Sequence, residues 1–95
     1  MRESYVYILS NKNRTVLYIG VTSNLIKRVE GHKNGMASVF TKKYNVTVLL
    51  YFEIYTSIQE AIEREKQLKN WKKEWKWNLI KEKNFELLDL YSDLR

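Results

Sequence analysis

The chain switches between short runs of two-residue periodicity and longer runs of helical periodicity. Ser4–Ser10, S-Y-V-Y-I-L-S, is β-branched and aromatic between polar ends, which predicts a strand. Asn11 to Arg14 reads as a turn, and residues 16–21, V-L-Y-I-G-V, as a second strand. So short a separation predicts an antiparallel hairpin. In it Tyr5, Tyr7 and Leu9 share one face of the first strand, and Val16, Tyr18 and Gly20 share one face of the second. Thr22, Ser23 and Asn24 all suit a helix cap. Leu25, Val29 and His32 then fall in one sector at ~100° per residue, with Arg28 at its edge. That helix is expected over 24–34, with Gly35 as its stop.

Residues 36–45 are polar, with Phe40 and Tyr44 interspersed, and read as a structured loop or a short helical turn. Residues 46–55 are apolar on nearly both faces, which predicts a third strand at the centre of the sheet. Ser57 followed by Glu60 fits a capping box. The helix it opens carries Ile58, Ala61, Ile62 and Leu68 on one face. Trp71, Trp75 and Leu79 extend that stripe, with a break expected near Asn70. Residues 81–84 read as a polar turn. Residues 85–94 read as a last short helix with Leu87, Leu88, Tyr91 and Leu94 turned inward. The fold class is therefore α/β (α+β): a three-stranded antiparallel sheet flanked by helices.

Length fits one domain over residues 1–95. Cysteine is absent and histidine occurs once, which argues against disulfides, a thiol nucleophile and structural zinc. Nothing approaches the roughly 20 apolar residues a membrane span needs, and no signal-peptide pattern opens the chain, so the cytoplasm is the expected compartment. Seventeen Lys and Arg against eleven Asp and Glu leave a net charge of +6, which favours a polyanionic partner.

The candidate chemistry is concentrated in a few residues. Glu65 falls in the apolar sector of the second long helix, between Ala61 and Ile62 in angle, while Glu60, Glu63 and Arg64 occupy the polar face. A carboxylate turned toward a sheet needs a cation, so either an ion pair with Arg28 or a lysine, or a bound metal, is expected. Arg28 and His32 are four residues apart and share a helix face. An arginine there can clamp a phosphate, and a histidine beside it can move a proton. Tyr7 and Tyr18 lie on adjacent strands and can reach one face. Gly20 leaves a gap beside them for a ligand or a backbone. The expected site gathers Tyr7, Tyr18, Gly20, Arg28, His32 and Glu65 on one sheet face, at the foot of two helices.

These residues resemble the signature of the GIY-YIG nuclease family. Tyr5-Val6-Tyr7 stands where the family has its first triplet, with Tyr5 in place of the glycine, and Tyr18-Ile19-Gly20 matches the second triplet letter for letter. Arg28 matches the family's helix arginine, His32 a histidine found in one branch. Ala61, Glu65, Leu68 and Lys69 match an A-x-x-x-E-x-x-L-K pattern. The resemblance covers about residues 4–83. Its nearest branch is that of small single-domain proteins similar to the amino-terminal nuclease domain of the excision-repair incision subunit. Val21 departs from a lysine of those enzymes, and the family's late asparagine has only Asn78 nearby.

The resemblance implies a divalent-metal-dependent endonuclease that hydrolyses DNA with little sequence specificity. Glu65 would hold one Mg²⁺ (or Mn²⁺), Arg28 would neutralise phosphoryl charge, and Tyr18 would orient or deprotonate water with Tyr7 and His32 in support. Gly20, Lys27, Lys33 and Lys69 would border the substrate, within a wider lysine rim that includes Lys42, Lys43, Lys66, Lys72, Lys73 and Lys76. Nothing in the pattern reads as a recognition helix or an aromatic RNA platform. Two other readings stand beside this one. The first is a nucleic-acid-binding module with a lapsed site. The second is a partner-binding domain, or a homodimer, using the tryptophan-rich residues 71–77, with Trp71 and Trp75 on one face and Trp77 pointing elsewhere.

Overall fold

The computed structural model describes residues 3–36 and 39–94. Strands β1 (Ser4–Ser10) and β2 (Leu17–Thr22) form the expected hairpin. Asn11 shapes its turn by accepting the Thr15 and Val16 amides on Oδ1, at 2.8 and 3.0 Å, while Arg14 takes a left-handed φ of 57°. Helix α1 (Leu25–Lys33) follows, capped by Asn24, whose side chain accepts from the Lys27 amide. Then come α2 (Val39–Lys43), β3 (Val48–Tyr55), α3 (Ile58–Lys69) and α4 (Lys73–Lys83), and a 3₁₀ turn over Leu90–Leu94. Ser57 caps α3 by accepting from the Glu60 amide at 3.3 Å. The expected loop at 36–45 contains the short helix α2; its residues Ala37 and Ser38 lie outside the described residues.

Three expectations are corrected. The strand order is β2-β1-β3, so β1 is central and the third strand forms an edge. β1 pairs with β2 on one side and β3 on the other, and all its residues but Tyr5 are buried. β3 is apolar on both faces only because helices cover both faces over its first half; Ile54, further on, is half exposed. Secondly, residues 81–83 continue α4 and are not a turn. Thirdly, 85–94 does not form one helix. Leu87 takes a positive φ of 57°, Leu88 is exposed, and only the Leu90–Leu94 turn is helical.

Helices lie on both faces of the sheet. Val6, Ile8 and Ile19 pack with Ala61, Leu68 and Ile80 of α3 and α4. Tyr7, Leu9 and Leu49 pack with Leu25 and Val29 of α1, and Leu90, Tyr91 and Leu94 close over that second core. Asn84, buried at the end of α4, donates to the Leu50 carbonyl at 3.0 Å and anchors the terminal segment to β3.

On the α3 side Arg64 leaves the polar face assigned to it and pairs with Glu53 at 2.9 Å, and the Tyr51 and Tyr55 hydroxyls donate to the same carboxylate. Burial raises the Glu53 pKa, but the bonds from Arg64 and the two tyrosines outweigh it and hold the group below its ordinary value.

The tryptophans are also placed differently. Trp77 packs on the first core, Trp71 is partly buried against it, and Trp75 is 49% exposed.

Candidate functional site

Tyr7 and Gly20 are cross-strand partners, so the Tyr7 side chain projects over a position without a side chain. A Cβ on Gly20 would overlap the Tyr7 hydroxyl and ring. Gly20 therefore makes room for a fully buried tyrosine, and through it sets where the hydroxyl sits. The first turns of α1 bring Arg28 to that hydroxyl: its Nη1 donates to Tyr7 Oη at 3.5 Å. One turn later His32 Nε2 lies 3.4 Å from the same oxygen. The Tyr18 ring packs against both, with ring centroids 6.3 Å from Tyr7 and 5.4 Å from His32.

Electrostatics follow from this packing. Burial and then the neighbouring Tyr18 push the Tyr7 hydroxyl up to about 12, against a smaller opposing pull from Arg28. Tyr7 is thus a neutral donor at neutral pH. Burial and the Arg28 charge hold His32 below its ordinary 6.5, so the imidazole is neutral too. A chain in which Arg28 donates to Tyr7 and Tyr7 donates to Nε2 gives each of the three side chains one partner. It leaves His32 Nδ1 buried without a hydrogen-bond partner.

Outside this cluster opens a shallow cleft of about 600 Å³, lined by Tyr18, Thr22, Lys27, Arg28, Gly31 and His32. Apart from its immediate neighbours and the helix's own backbone, nothing lies within 4 Å of where a Gly31 side chain would start, so the helix presents no bulk to the cleft there. No described carboxylate pairs with Arg28; the ion pairs are Lys33–Asp89, Arg64–Glu53 and Lys69–Glu65.

The structure thus brings together Tyr7, Tyr18, Gly20, Arg28, His32 and Lys27. Glu65 is carried by α3. Its helix covers the sheet face opposite to α1, so the two helices do not meet at the foot of one face. Its carboxylate is 16% exposed and lies 3.6 Å from Lys69 Nζ. Its negative charge nonetheless reaches Tyr7, whose hydroxyl it helps to raise. α3 packs chiefly on β1 and β2, which carry Tyr7 and Gly20.

Lys33 is engaged elsewhere: its Nζ donates to the Thr47 carbonyl at 2.9 Å and pairs with Asp89 at 2.7 Å. Lys73 reaches the Thr15 carbonyl at 3.0 Å. Lys69 and Lys76 line a second groove, with Leu17, Tyr18, Ile19 and Phe40. Asn78 is exposed on α4.

Among the described residues no three His, Cys, Asp or Glu side chains cluster as metal ligands. Glu65 alone still suits a hard cation, because Mg²⁺ commonly takes one or two carboxylates and completes its shell with water and phosphate oxygens. Its present partner Lys69 is half exposed. No helix among the described residues is long and apolar enough to cross a membrane.

An aromatic pair outside the expected site adjoins it. Phe40 stacks on Tyr18 at 6.2 Å and 29°, and Tyr44 lies 4.8 Å beyond Phe40. Their four-residue spacing on a lysine-bearing stretch was the available signal.

Comparison with known proteins agrees with this geometry. The sequence profile described as the GIY-YIG catalytic domain matches residues 3–78. A UPF0213 protein of Clostridium perfringens is 39% identical over 88 residues, covering 87% of this chain and 94% of the relative. One from Staphylococcus haemolyticus is 35% identical over 83 residues, 87% of this chain and 100% of the relative. The solution NMR structure of a UPF0213 protein from Bacillus halodurans superposes with a TM-score of 0.56 at 27% identity, covering 86% of each chain. With the paired triplets on adjacent strands, the helix arginine at the Tyr7 hydroxyl and the profile match over most of the chain, this protein belongs to the GIY-YIG family and is similar over most of its length to UPF0213 proteins.

Proposed function

We propose that this protein is a nucleic-acid-binding module that holds a phosphodiester of DNA in the Arg28 cleft. The carrying observation is Arg28 itself. Its guanidinium borders an open cleft, is steadied by Tyr7 Oη and has no carboxylate partner among the described residues. Such a group has unused donors in the fork geometry that matches phosphate. Lys27 adds a second cation to the same cleft. Backbone contacts of this kind position a strand without reading its sequence.

Hydrolysis is a second reading, favoured by the reach of the Glu65 charge to Tyr7. A divalent cation held at Glu65 would supply Lewis-acid polarisation of the phosphodiester and stabilise the leaving oxygen. Arg28 would neutralise charge as it gathers on the phosphoryl oxygens. Tyr7, protonated with its hydroxyl near 12, would act as a donor, and the neutral His32 would be the proton acceptor of the cluster. Tyr18 would orient the attacking water against the His32 ring.

One set of measurements tests both readings. Arg28→Ala should weaken DNA binding at low salt by about ten- to a hundredfold, as expected for a charged contact worth ~1.5–3 kcal/mol. Glu65→Gln should leave binding equal or slightly tighter, and should abolish any Mg²⁺- or Mn²⁺-dependent nicking of supercoiled, branched or single-stranded DNA. Unchanged affinity in the Arg28 variant overturns the binding site. Absence of cleavage in the wild-type protein at high concentration, with binding retained, leaves the module reading alone standing. Cleavage undiminished in Glu65→Gln removes the metal role assigned to that residue.

A further inference from the structure

The Arg28 cleft does not end at Tyr18. The same ring also lines the second groove, of about 270 Å³, whose walls include Phe40 and the side chains of Lys69 and Lys76. Phe40 stacks on Tyr18, and Tyr44 follows it, so three rings lead away from the cleft. Phe40 is 44% exposed and Tyr44 41% exposed. Tyr18 packs on the second core, but Phe40 and Tyr44 belong to neither core. Two neighbouring rings held half in water contribute little burial, and they sit on a surface bordered by cations. Lys43 Nζ lies 5.4 Å from the Tyr44 ring centroid, and Lys69 and Lys76 flank Phe40 across the groove.

Aromatic faces between lysines fit one polymer chemistry: flat π-surfaces joined by anionic linkers. Single-strand binders combine such rings with a basic groove, the rings taking bases and the lysines taking phosphates. In a duplex the base faces are already covered by their neighbours and cannot reach a protein ring. We propose that Tyr18, Phe40 and Tyr44 form a base-stacking track that makes the protein select an unpaired nucleic-acid strand over a duplex. One phosphate lies at Arg28 and Lys27. The strand then passes the Tyr18 ring, stacks a base on Phe40 or Tyr44, and continues between Lys69 and Lys76. The inference rests on the phosphodiester-binding reading of the Arg28 cleft and adds the class of strand.

Fluorescence anisotropy at low salt tests it with four labelled probes: oligothymidine, an abasic strand of the same length, blunt duplex DNA and oligouridine. The abasic strand keeps the phosphates and removes the stacking. Wild-type protein should bind oligothymidine about tenfold or more tightly than the abasic strand, in keeping with the usual stacking contribution per base. Phe40→Ala should lower oligothymidine affinity to the abasic level while leaving abasic and duplex binding unchanged. Phe40→Trp should retain the preference. Circular dichroism should show both variants folded, since Phe40 lies outside the two cores. Tighter binding of either oligothymidine or oligouridine, lost in Phe40→Ala, supports the track. Equal wild-type affinity for the oligothymidine and abasic strands overturns the track. So does a Phe40→Ala effect of the same size on every probe. If Arg28→Ala weakens all probes while Phe40→Ala weakens none, the track fails and the cleft reading survives. No binding to any probe overturns both.

Discussion

At the scale of single residues, Tyr7 is the pivot, and Gly20 is the reason it can be. The hydroxyl meets Arg28 at 3.5 Å and His32 at 3.4 Å because its ring lies across a strand position with no Cβ. Gly20→Ala would drive a methyl into a buried ring that cannot leave without breaking both contacts. The expected cost is ~1–3 kcal/mol, as for other overpacked sites. Urea unfolding should show it, and the variant should also lose nucleic-acid affinity as Arg28 loses its support.

His32 makes a second residue-level prediction. Its folded pKa lies below its unfolded value of 6.5, through burial and Arg28. The unfolded chain therefore takes up a proton at higher pH than the folded one. Stability is full above about pH 6.5 and declines as pH falls from there through the folded value. Glu53 and Asp89, also held below their ordinary values, lose their contributions only in stronger acid. Thermal unfolding between about pH 7.5 and about pH 5.5 should show a fall in Tm that is smaller in His32→Gln.

At the scale of elements, the segment after α4 is held by polar anchors more than by a helix. Asn84 donates to the Leu50 and Leu88 carbonyls at 3.0 and 2.8 Å and accepts from the Leu88 amide at 3.0 Å. Asp89 takes the Leu49 amide at 3.1 Å and pairs with Lys33. Arg14, in the hairpin turn, donates to the Leu87 carbonyl at 2.8 Å. These contacts cover backbone groups of an edge strand as well as fastening the chain end. Asn84→Ala should therefore leave the buried Leu50 carbonyl without its side-chain donor, at ~1–3 kcal/mol. A lower urea midpoint with an unchanged m value is the expected signature.

At the scale of the whole molecule, the excess of six positive charges is unevenly available. Lys33 and Arg64 are consumed in ion pairs, and Lys73 holds a loop carbonyl. Lys27 and Lys76 instead border the cleft and groove that meet at Tyr18, as does Lys69, which is half exposed and only loosely paired with Glu65 at 3.6 Å. Binding should thus weaken with salt as counterions are released, but with a slope set by these few phosphate contacts and not by the net charge. A titration across ionic strength should give a shallow slope of about −2 to −4 for a single strand, and Arg28→Ala should reduce its magnitude by about 1.

Local pattern alone determined the hairpin, the capped starts of α1 and α3, and the grouping of Tyr7, Tyr18, Arg28 and His32. Each of these depends on contacts a few residues apart, or on strand parity and helical angle. The family signature was legible for the same reason, because its triplets and helix positions are spaced locally. Only the tertiary structure decided the rest. The centre of the sheet went to β1 because pairing partners on both sides, not apolarity, define a central strand. α3, the helix that carries Glu65, packs on the face opposite to α1, because a helical wheel tells which side is inward but not which face of a sheet that side meets. The terminal segment turned from the expected helix into anchored loops because Asn84 and Asp89 find backbone partners on β3, remote in sequence. The aromatic ladder depended on the same kind of event: Phe40 reaches Tyr18 only when α2 folds back over β2, a closure that no local spacing encodes.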